Sequence, residues 1–185
     1  SRIFDDQEML GPASSSDPDY DPSTLFLPVV IVSPVQLPVV EGGSSVSYTL
    51  VLGTAPLPGG TVTITATAQS PRIRLNGGGG AVTRTFTGAD WNEPQSIAVQ
   101  AVDNDVVDGI ETVAVSHTAK GGGYDGVVIE PLMVTVHDND RAGVNITPQT
   151  LQVTEGSTTS YDVVLTSQPP PGESVAVFAT KASER

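Results

Sequence analysis

The chain has 185 residues and a formal net charge of −13, because 21 acidic residues outnumber 8 lysines and arginines. A surface this acidic repels the phosphates of nucleic acids and anionic lipids, so neither is expected as a partner. The absence of cysteine excludes disulfides and thiolate metal sites, and the longest apolar run, residues 25–32, is too short for membrane insertion.

Residues 1–28 are predicted to form an extended or disordered arm. The segment GPASSSDPDYDPST combines proline, serine and aspartate and offers almost nothing to bury. Such a segment serves as a linker, and the alternative is an arm that docks on a neighbouring module.

From residue 29 onwards the pattern is that of β-strands. Apolar residues alternate with polar ones in short runs, and clusters of glycine, proline and asparagine separate the runs. Seven such strands within residues 29–140 predict an all-β fold, an immunoglobulin-like Greek-key β-sandwich. The predicted strands cover residues 29–40 (interrupted by Pro34 and Pro38), 46–53, 61–68, 81–87, 95–102, 111–118 and 131–137.

The chain then repeats itself, because residues 147–180 align with residues 33–67. The repeat predicts a linker over 141–146 and the first half of a second tandem copy over 147–185. Two explanations stay open: the rest of a longer chain completes this copy, or strands of another subunit complete it by complementation. The strands predicted in it cover residues 149–153, 160–166 and 174–180.

Acidic side chains gather in three segments that the predicted fold brings to one end of the sandwich. Successive strands alternate in direction, so the connections after the first, third and fifth strands share a pole with the residues after the seventh. The candidate metal ligands at this pole are Glu41, Asp103, Asp105, Asp108, Asp138 and Asp140, with Asn104, Glu111 and Asn139 as secondary candidates.

Such a convergence of carboxylates needs positive charge. Like charges at short distance destabilise one another, and only Arg72, Arg74 and Arg141 are placed nearby to offset them. Calcium resolves the conflict, because it takes about six to eight oxygen ligands and tolerates irregular loop geometry. The alternative is that these aspartates and asparagines are only turn formers.

The motifs VVEGG, AVDNDVVDGIET and VTVHDND together resemble the Calx-β module, which occurs in sodium–calcium exchangers and in large surface proteins. The stretch TFTGADWNEPQSIAVQAVDND is more similar to the multi-repeat surface forms. The resemblance covers residues 33–140 and, as a first half, 147–180. It implies a calcium site at this pole with Glu41, Asp103, Asp108, Asp138 and Asp140 as ligands, and Asp105 and Asn139 as secondary ones.

This chain departs from the family pattern at two places. Asn104 stands where calcium-binding members commonly have a second aspartate, and the glycine-rich connection after the third strand offers only Asn76 as an oxygen donor. We therefore expect fewer or weaker calcium sites than in the exchangers.

Other features offer little chemistry. His117 and His137 lie in predicted strands without a nucleophile motif beside them, so the chain is not expected to be an enzyme. Asn145 begins an N-glycosylation sequon. Trp91 and Tyr124 are candidates for partner binding at the opposite pole, and the alternative for Trp91 is a plug over the core.

These features favour a structural role. The leading hypothesis is an extracellular or cell-surface spacer or adhesion module of a large multi-repeat protein, filament or appendage, stiffened by calcium between modules and contacting neighbouring modules or other subunits. The alternatives are a cytosolic calcium-sensing regulatory module, as in the exchangers, and a module that binds protein or glycan through the opposite pole.

Overall fold

The computed structural model describes residues 27–181, and all of the regular structure in this range is β-strand. Residues 1–26, which hold nearly all of the predicted arm, lie outside the described range, as do residues 182–185. None of the described residues form a helix long and apolar enough to span a bilayer. The strands are β1 (Val30–Ser33), β2 (Gln36–Val40), β3 (Val46–Leu52), β4 (Thr61–Ala68), β5 (Ile73–Leu75), β6 (Ala81–Thr87), β7 (Gln95–Ala101), β8 (Ile110–Lys120), β9 (Leu132–His137), β10 (Val144–Thr147) and β11 (Asp162–Leu165).

Strands β1 to β9 form the two sheets of a β-sandwich. Within residues 27–181 one sheet has the order β1-β3-β7-β5, and the other has the order β2-β9-β8-β4-β6. Neighbouring strands pair antiparallel, except that β2 and β9 run parallel. The predicted all-β, immunoglobulin-like sandwich is confirmed.

The core lies between the two sheets and follows the alternation in the sequence. In β4, for example, Val62, Ile64 and Ala66 are buried, while the threonines between them point outward. The inward residues of β3, β7 and β9 meet them from both sheets. Full burial of one such aliphatic side chain contributes about 1.5–3 kcal/mol to stability, so this layer holds the sheets together.

The segment 29–40 forms two strands, where the sequence predicted one. Pro34 and Val35 separate β1 from β2, and the two strands join opposite sheets: β1 pairs with β3, and β2 pairs with β9. The prediction was wrong because alternation shows which side chains face inward but not which sheet a strand joins. Both strands lie at sheet edges, where the missing N–H of Pro38 in β2 is tolerated.

A short strand that the sequence analysis missed lies between β4 and β6. Strand β5 has three residues and pairs with β7, with Ile73 opposite Ala101. Three residues are too few to show a period of two. The strand matters because it fixes the preceding residue, Arg72, at one end of the sandwich.

Tyr48 of β3 and His117 of β8 join the two sheets through a buried hydrogen bond. The Tyr48 hydroxyl lies 2.9 Å from His117 Nε2, and the rings meet edge to face with centroids 5.5 Å apart. Burial lowers the pKa of His117 and raises that of Tyr48, so both side chains are neutral near pH 7. His137, at the end of β9, is half-buried.

After the sandwich, β10 and β11 pair antiparallel. Strand β10 begins at Val144, inside the segment predicted as a linker, and β11 lies within the predicted strand 160–166. Among the described residues no strand forms over 149–153 or 174–180. A strand needs a paired neighbour, and the corresponding strands of the first copy, β2 and β4, pair with β9 and with β6 and β8.

Candidate metal centre

Four segments meet at one end of the sandwich, here called the acidic pole: the β2–β3 turn, the β4–β5 and β7–β8 connections, and the residues after β9. The Glu41 N–H donates to the carbonyl of His137 at 3.0 Å. The Asp138 N–H likewise donates to the carbonyl of Gly109 at 3.1 Å. At Gly42, φ is 61°, and a Cβ there would lie 2.8 Å from a carboxylate oxygen of the β7–β8 connection. Glycine therefore allows the turn to approach that connection closely.

Three carboxylates of the acidic pole converge on one point. Ligand oxygens of Glu41, Asp138 and Asp140 all lie within 4.8 Å of one another, and Glu41 is only 1% exposed. Asp138 is held by backbone donors: its Oδ2 accepts from the N–H of Asp108 at 2.6 Å and of Gly109 at 2.7 Å, and its Oδ1 accepts from the N–H of Asp140 at 2.7 Å. These bonds lower the pKa of Asp138, so it is ionised and oriented.

Two oxygens of this group are buried without a partner. Glu41 Oε2 and Asp140 Oδ2 accept no hydrogen bond from any of the described residues. Burial, together with the charge of Asp138 and other acids, raises the pKa of Asp140; burial also raises that of Glu41, against the opposing effect of Arg72. A buried carboxylate oxygen without a partner is unfavourable, and either a proton or a cation would satisfy it.

Arg72 is the positive charge that the structure places in the acidic pole. Its Nη2 lies 2.6 Å from Glu41 Oε1, its Nη1 forms an ion pair with Asp108, and its Nε lies 3.5 Å from Glu111 Oε2. The hydrogen bond to Asp108 raises the pKa of Arg72. From the sequence, Arg72, Arg74 and Arg141 were the candidates for this role. The position of β5 places Arg72 among the acids.

The two asparagines among the candidate ligands, Asn104 and Asn139, donate hydrogen bonds from their amide groups to the acidic residues of this pole. Asn104 Nδ2 donates to Glu41 Oε1 at 3.0 Å, and its Oδ1 accepts from the N–H of Val106 at 2.6 Å. Asn139 Nδ2 donates to the carbonyl of Glu41 and to Asp103 Oδ1, both at 3.1 Å. An amide that donates to a carboxylate orients it, so these residues position the acids.

Of the six first-choice ligands, the structure therefore gathers Glu41, Asp138 and Asp140 into one group. Asp103 and Asp108 lie beside it, paired with Asn139 and Arg72. The carboxylates of Asp103, Asp105 and Asp108 all contribute to the raised pKa of Asp140, while Glu111 contacts Arg72. The group of three is surrounded by further negative charge.

The other candidate residues are not part of this group. Tyr124 is fully buried, and its hydroxyl donates to the carbonyl of Thr54 at 2.5 Å, so its ring belongs to the core and offers no surface to a partner. Trp91 is half-buried and packs against the core. Asn145 is exposed on β10.

Comparisons with known proteins concern the fold alone. No protein-family model and no curated protein matches this chain. Among solved structures, the apo form of the Calx CBD1 domain is similar at 15% identity and a TM-score of 0.48, covering 61% of this chain and 98% of that one. The calcium-binding domain CBD12 of CALX1.1 has the same identity and TM-score, over 70% of this chain and 54% of that one. The periplasmic chaperone SfaE follows at 9% identity and 0.44, over 60% and 58%.

Proposed function

We propose that this chain is a non-catalytic module that binds Ca²⁺ at its acidic pole, and that the bound ion stiffens the junction to the segment that follows. The observation that carries the proposal is the pair of buried, unpartnered oxygens, Glu41 Oε2 and Asp140 Oδ2. Both belong to the group of three carboxylates whose oxygens lie within 4.8 Å of one another.

The donor set favours a hard cation. The group consists of carboxylate oxygens, and calcium prefers such oxygens at about 2.3–2.6 Å in irregular loop sites. Asp138 is already oriented by three backbone N–H groups, so little ordering remains to be done when the ion binds. A divalent ion here would also offset the burial and the repulsion from Asp138 and other acids, which together raise the pKa of Asp140.

The stiffening part of the proposal rests on where these residues lie along the chain. Asp138 and Asp140 directly follow β9, and only residues 141–143 separate them from β10. The β7–β8 connection also touches the second segment, because the N–H of Gln168 donates to the carbonyl of Asp105 at 2.5 Å. An ion held by Asp138 and Asp140 would therefore fix both the exit of the sandwich and the loop that contacts the next segment.

Calcium titration of the whole chain by calorimetry tests the site. We expect saturable binding, and at least a tenfold loss of affinity in Asp140→Asn, because the variant removes one charge and one unpartnered oxygen from the group. The matched control is Asp125→Asn, which removes the same charge from the β8–β9 connection at the other end of the sandwich and should leave the affinity unchanged.

The absence of binding heat in the parent chain would contradict the proposal, and so would an equal effect of the two variants. The affinity also separates the two candidate roles. Sensors bind calcium with roughly micromolar affinity, whereas extracellular modules work near millimolar. A near-millimolar value supports the extracellular spacer, and a micromolar value supports the regulatory module.

A second expected result concerns the junction itself. NMR relaxation of the backbone amides over 141–147 should show slower and smaller motion in saturating Ca²⁺ than in EDTA, because the ion fixes the residues just before them. Amides at the opposite pole serve as the internal control and should not change. If calcium binds and these amides keep the same mobility, the ion has a local role and the stiffening proposal fails.

A further inference from the structure

The two carboxylate oxygens of Glu41 have different surroundings. Oε1 accepts from Arg72 Nη2 at 2.6 Å and from Asn104 Nδ2 at 3.0 Å. Oε2 accepts no hydrogen bond from any described residue, although the Glu41 side chain is fully buried. Glu41 therefore has one oxygen that protein donors satisfy and one that is left for an ion.

The acidic pole accordingly has two halves that share Glu41. In the filled half, the carboxylates of Glu41, Asp108 and Glu111 surround the guanidinium of Arg72, which contacts each of them through a different nitrogen. In the open half, Glu41, Asp138 and Asp140 converge without a cation between them. The filled half thus offers its guanidinium the same number of carboxylates that the open half offers to an ion.

Asn104 completes the filled half as a donor. Its Nδ2 donates to Glu41 Oε1 at 3.0 Å and to Asp108 Oδ2 at 3.3 Å, and these are the same two oxygens that Arg72 contacts. An aspartate at this position would bring further negative charge to those oxygens instead of an amide. A metal ion would have to displace both donors, and hydrogen bonds to ionised groups are among the strong ones.

From these contacts we propose that the acidic pole has two cation positions and that Arg72, together with Asn104, occupies the second one, so that the pole takes a single divalent ion in its open half. The inference rests on the proposed calcium site and adds to it the number of ions and the residues that set this number. An arginine is charged at every physiological pH, and Arg72 is attached directly before β5. The filled half is therefore assembled at any calcium concentration, whereas the open half depends on the ion.

The test counts the ions bound per chain by equilibrium dialysis of the whole chain in saturating Ca²⁺. The parent chain should bind one ion. The double variant Arg72→Ala, Asn104→Asp should bind two, because it removes the resident cation and adds a carboxylate beside Asp108. The matched control is Arg74→Ala, Asn104→Asp, which has the same composition but keeps Arg72 and should bind one.

A third substitution locates the new ion. Asp108→Asn, added to the double variant, should return the count to one, because the Asp108 carboxylate belongs to the filled half. Fluorescence of Trp91, the single tryptophan, reports that each variant is folded in saturating calcium. A role of Arg72 in stability alone would change the unfolding free energy without adding an ion, so the count separates the two roles.

A second measurement uses the unaltered chain, because the double variant loses a buried ion pair. The Arg72 Nε atom is buried, so its N–H should be protected from exchange with solvent. NMR should show the side-chain N–H groups of Arg72 and Asn104 equally protected in EDTA and in saturating Ca²⁺, since both keep their partners when the ion binds. Loss of this protection on calcium binding would show that the ion and the guanidinium compete for one position.

Three results would overturn the inference: two ions on the parent chain, one ion on the folded double variant, or release of Arg72 by calcium. One ion on both the parent and the double variant contradicts only this inference and leaves the proposed calcium site intact. A parent chain that binds no ion contradicts the proposed function and this inference together, so the two failures are distinguishable.

Discussion

The variant Arg72→Ala is expected to lower the free energy of unfolding by about 3–5 kcal/mol in the absence of calcium, the range seen when one partner of a buried ion pair is removed. Glu41, whose side chain is fully buried, loses the guanidinium that lies 2.6 Å from its Oε1. Asp108 and Glu111 lose the same partner. Denaturant unfolding in EDTA, followed by Trp91 fluorescence, measures the loss.

Saturating calcium should reduce this loss, since the ion would supply the missing positive charge, and a ligand that binds only the folded state stabilises it. Arg74→Ala is the matched control, because Arg74 is exposed on β5 and has no ion pair among the described residues. Arg72→Lys keeps the charge but lacks the planar guanidinium, so its loss of stability should lie between those of Arg72→Ala and Arg74→Ala. A loss no larger than that of Arg74→Ala would show that the acidic pole does not depend on Arg72.

The variant Tyr48→Ala is expected to lower the free energy of unfolding by about 3–5 kcal/mol, as when other large aromatic side chains are truncated in a core. Tyr48 is 1% exposed and reaches across the sandwich to His117. The truncation therefore leaves a cavity between the sheets and removes the hydrogen bond to Nε2. The same unfolding measurement applies, with the Tyr48→Phe variant alongside to separate the two contributions.

Tyr48→Phe keeps the ring and should cost about 1–3 kcal/mol, the penalty for leaving a buried polar group unsatisfied. The second repeat offers the control: Tyr161→Ala alters the corresponding residue in its exposed setting and should change stability by no more than about 0.5 kcal/mol. Similar effects of Tyr48→Ala and Tyr161→Ala would contradict the different environments described for the two repeats.

Strand positions in the first sandwich followed from the alternation of residues such as Val62, Ile64 and Ala66, because burial of one sheet face imposes that period. The alternation did not predict that residues 29–40 form two strands, and it did not predict β5. The first depends on which sheet edge is free to accept a strand, and the second depends on pairing with β7 across a long sequence separation. Both are tertiary effects without a local signal.

The acidic pole shows a similar limit. The direction of the strands was sufficient to predict which connections would meet. Their individual roles depend on side-chain geometry. Whether Asn104 and Asn139 bind a cation through oxygen or donate through nitrogen, and which arginine lies among the acids, is decided by distances of an ångström or two that no spacing in the sequence encodes.

The parallel pairing of β2 with β9 has a mechanical consequence. Tension applied between the start of β2 and the end of β9 acts along the strands, because the two strands run in the same direction. The ladder from Gln36–Met133 to Val40–His137 would then be loaded in shear, with its hydrogen bonds sharing the force and breaking together instead of unzipping one at a time. Such a sandwich would resist unfolding by force applied to its two ends.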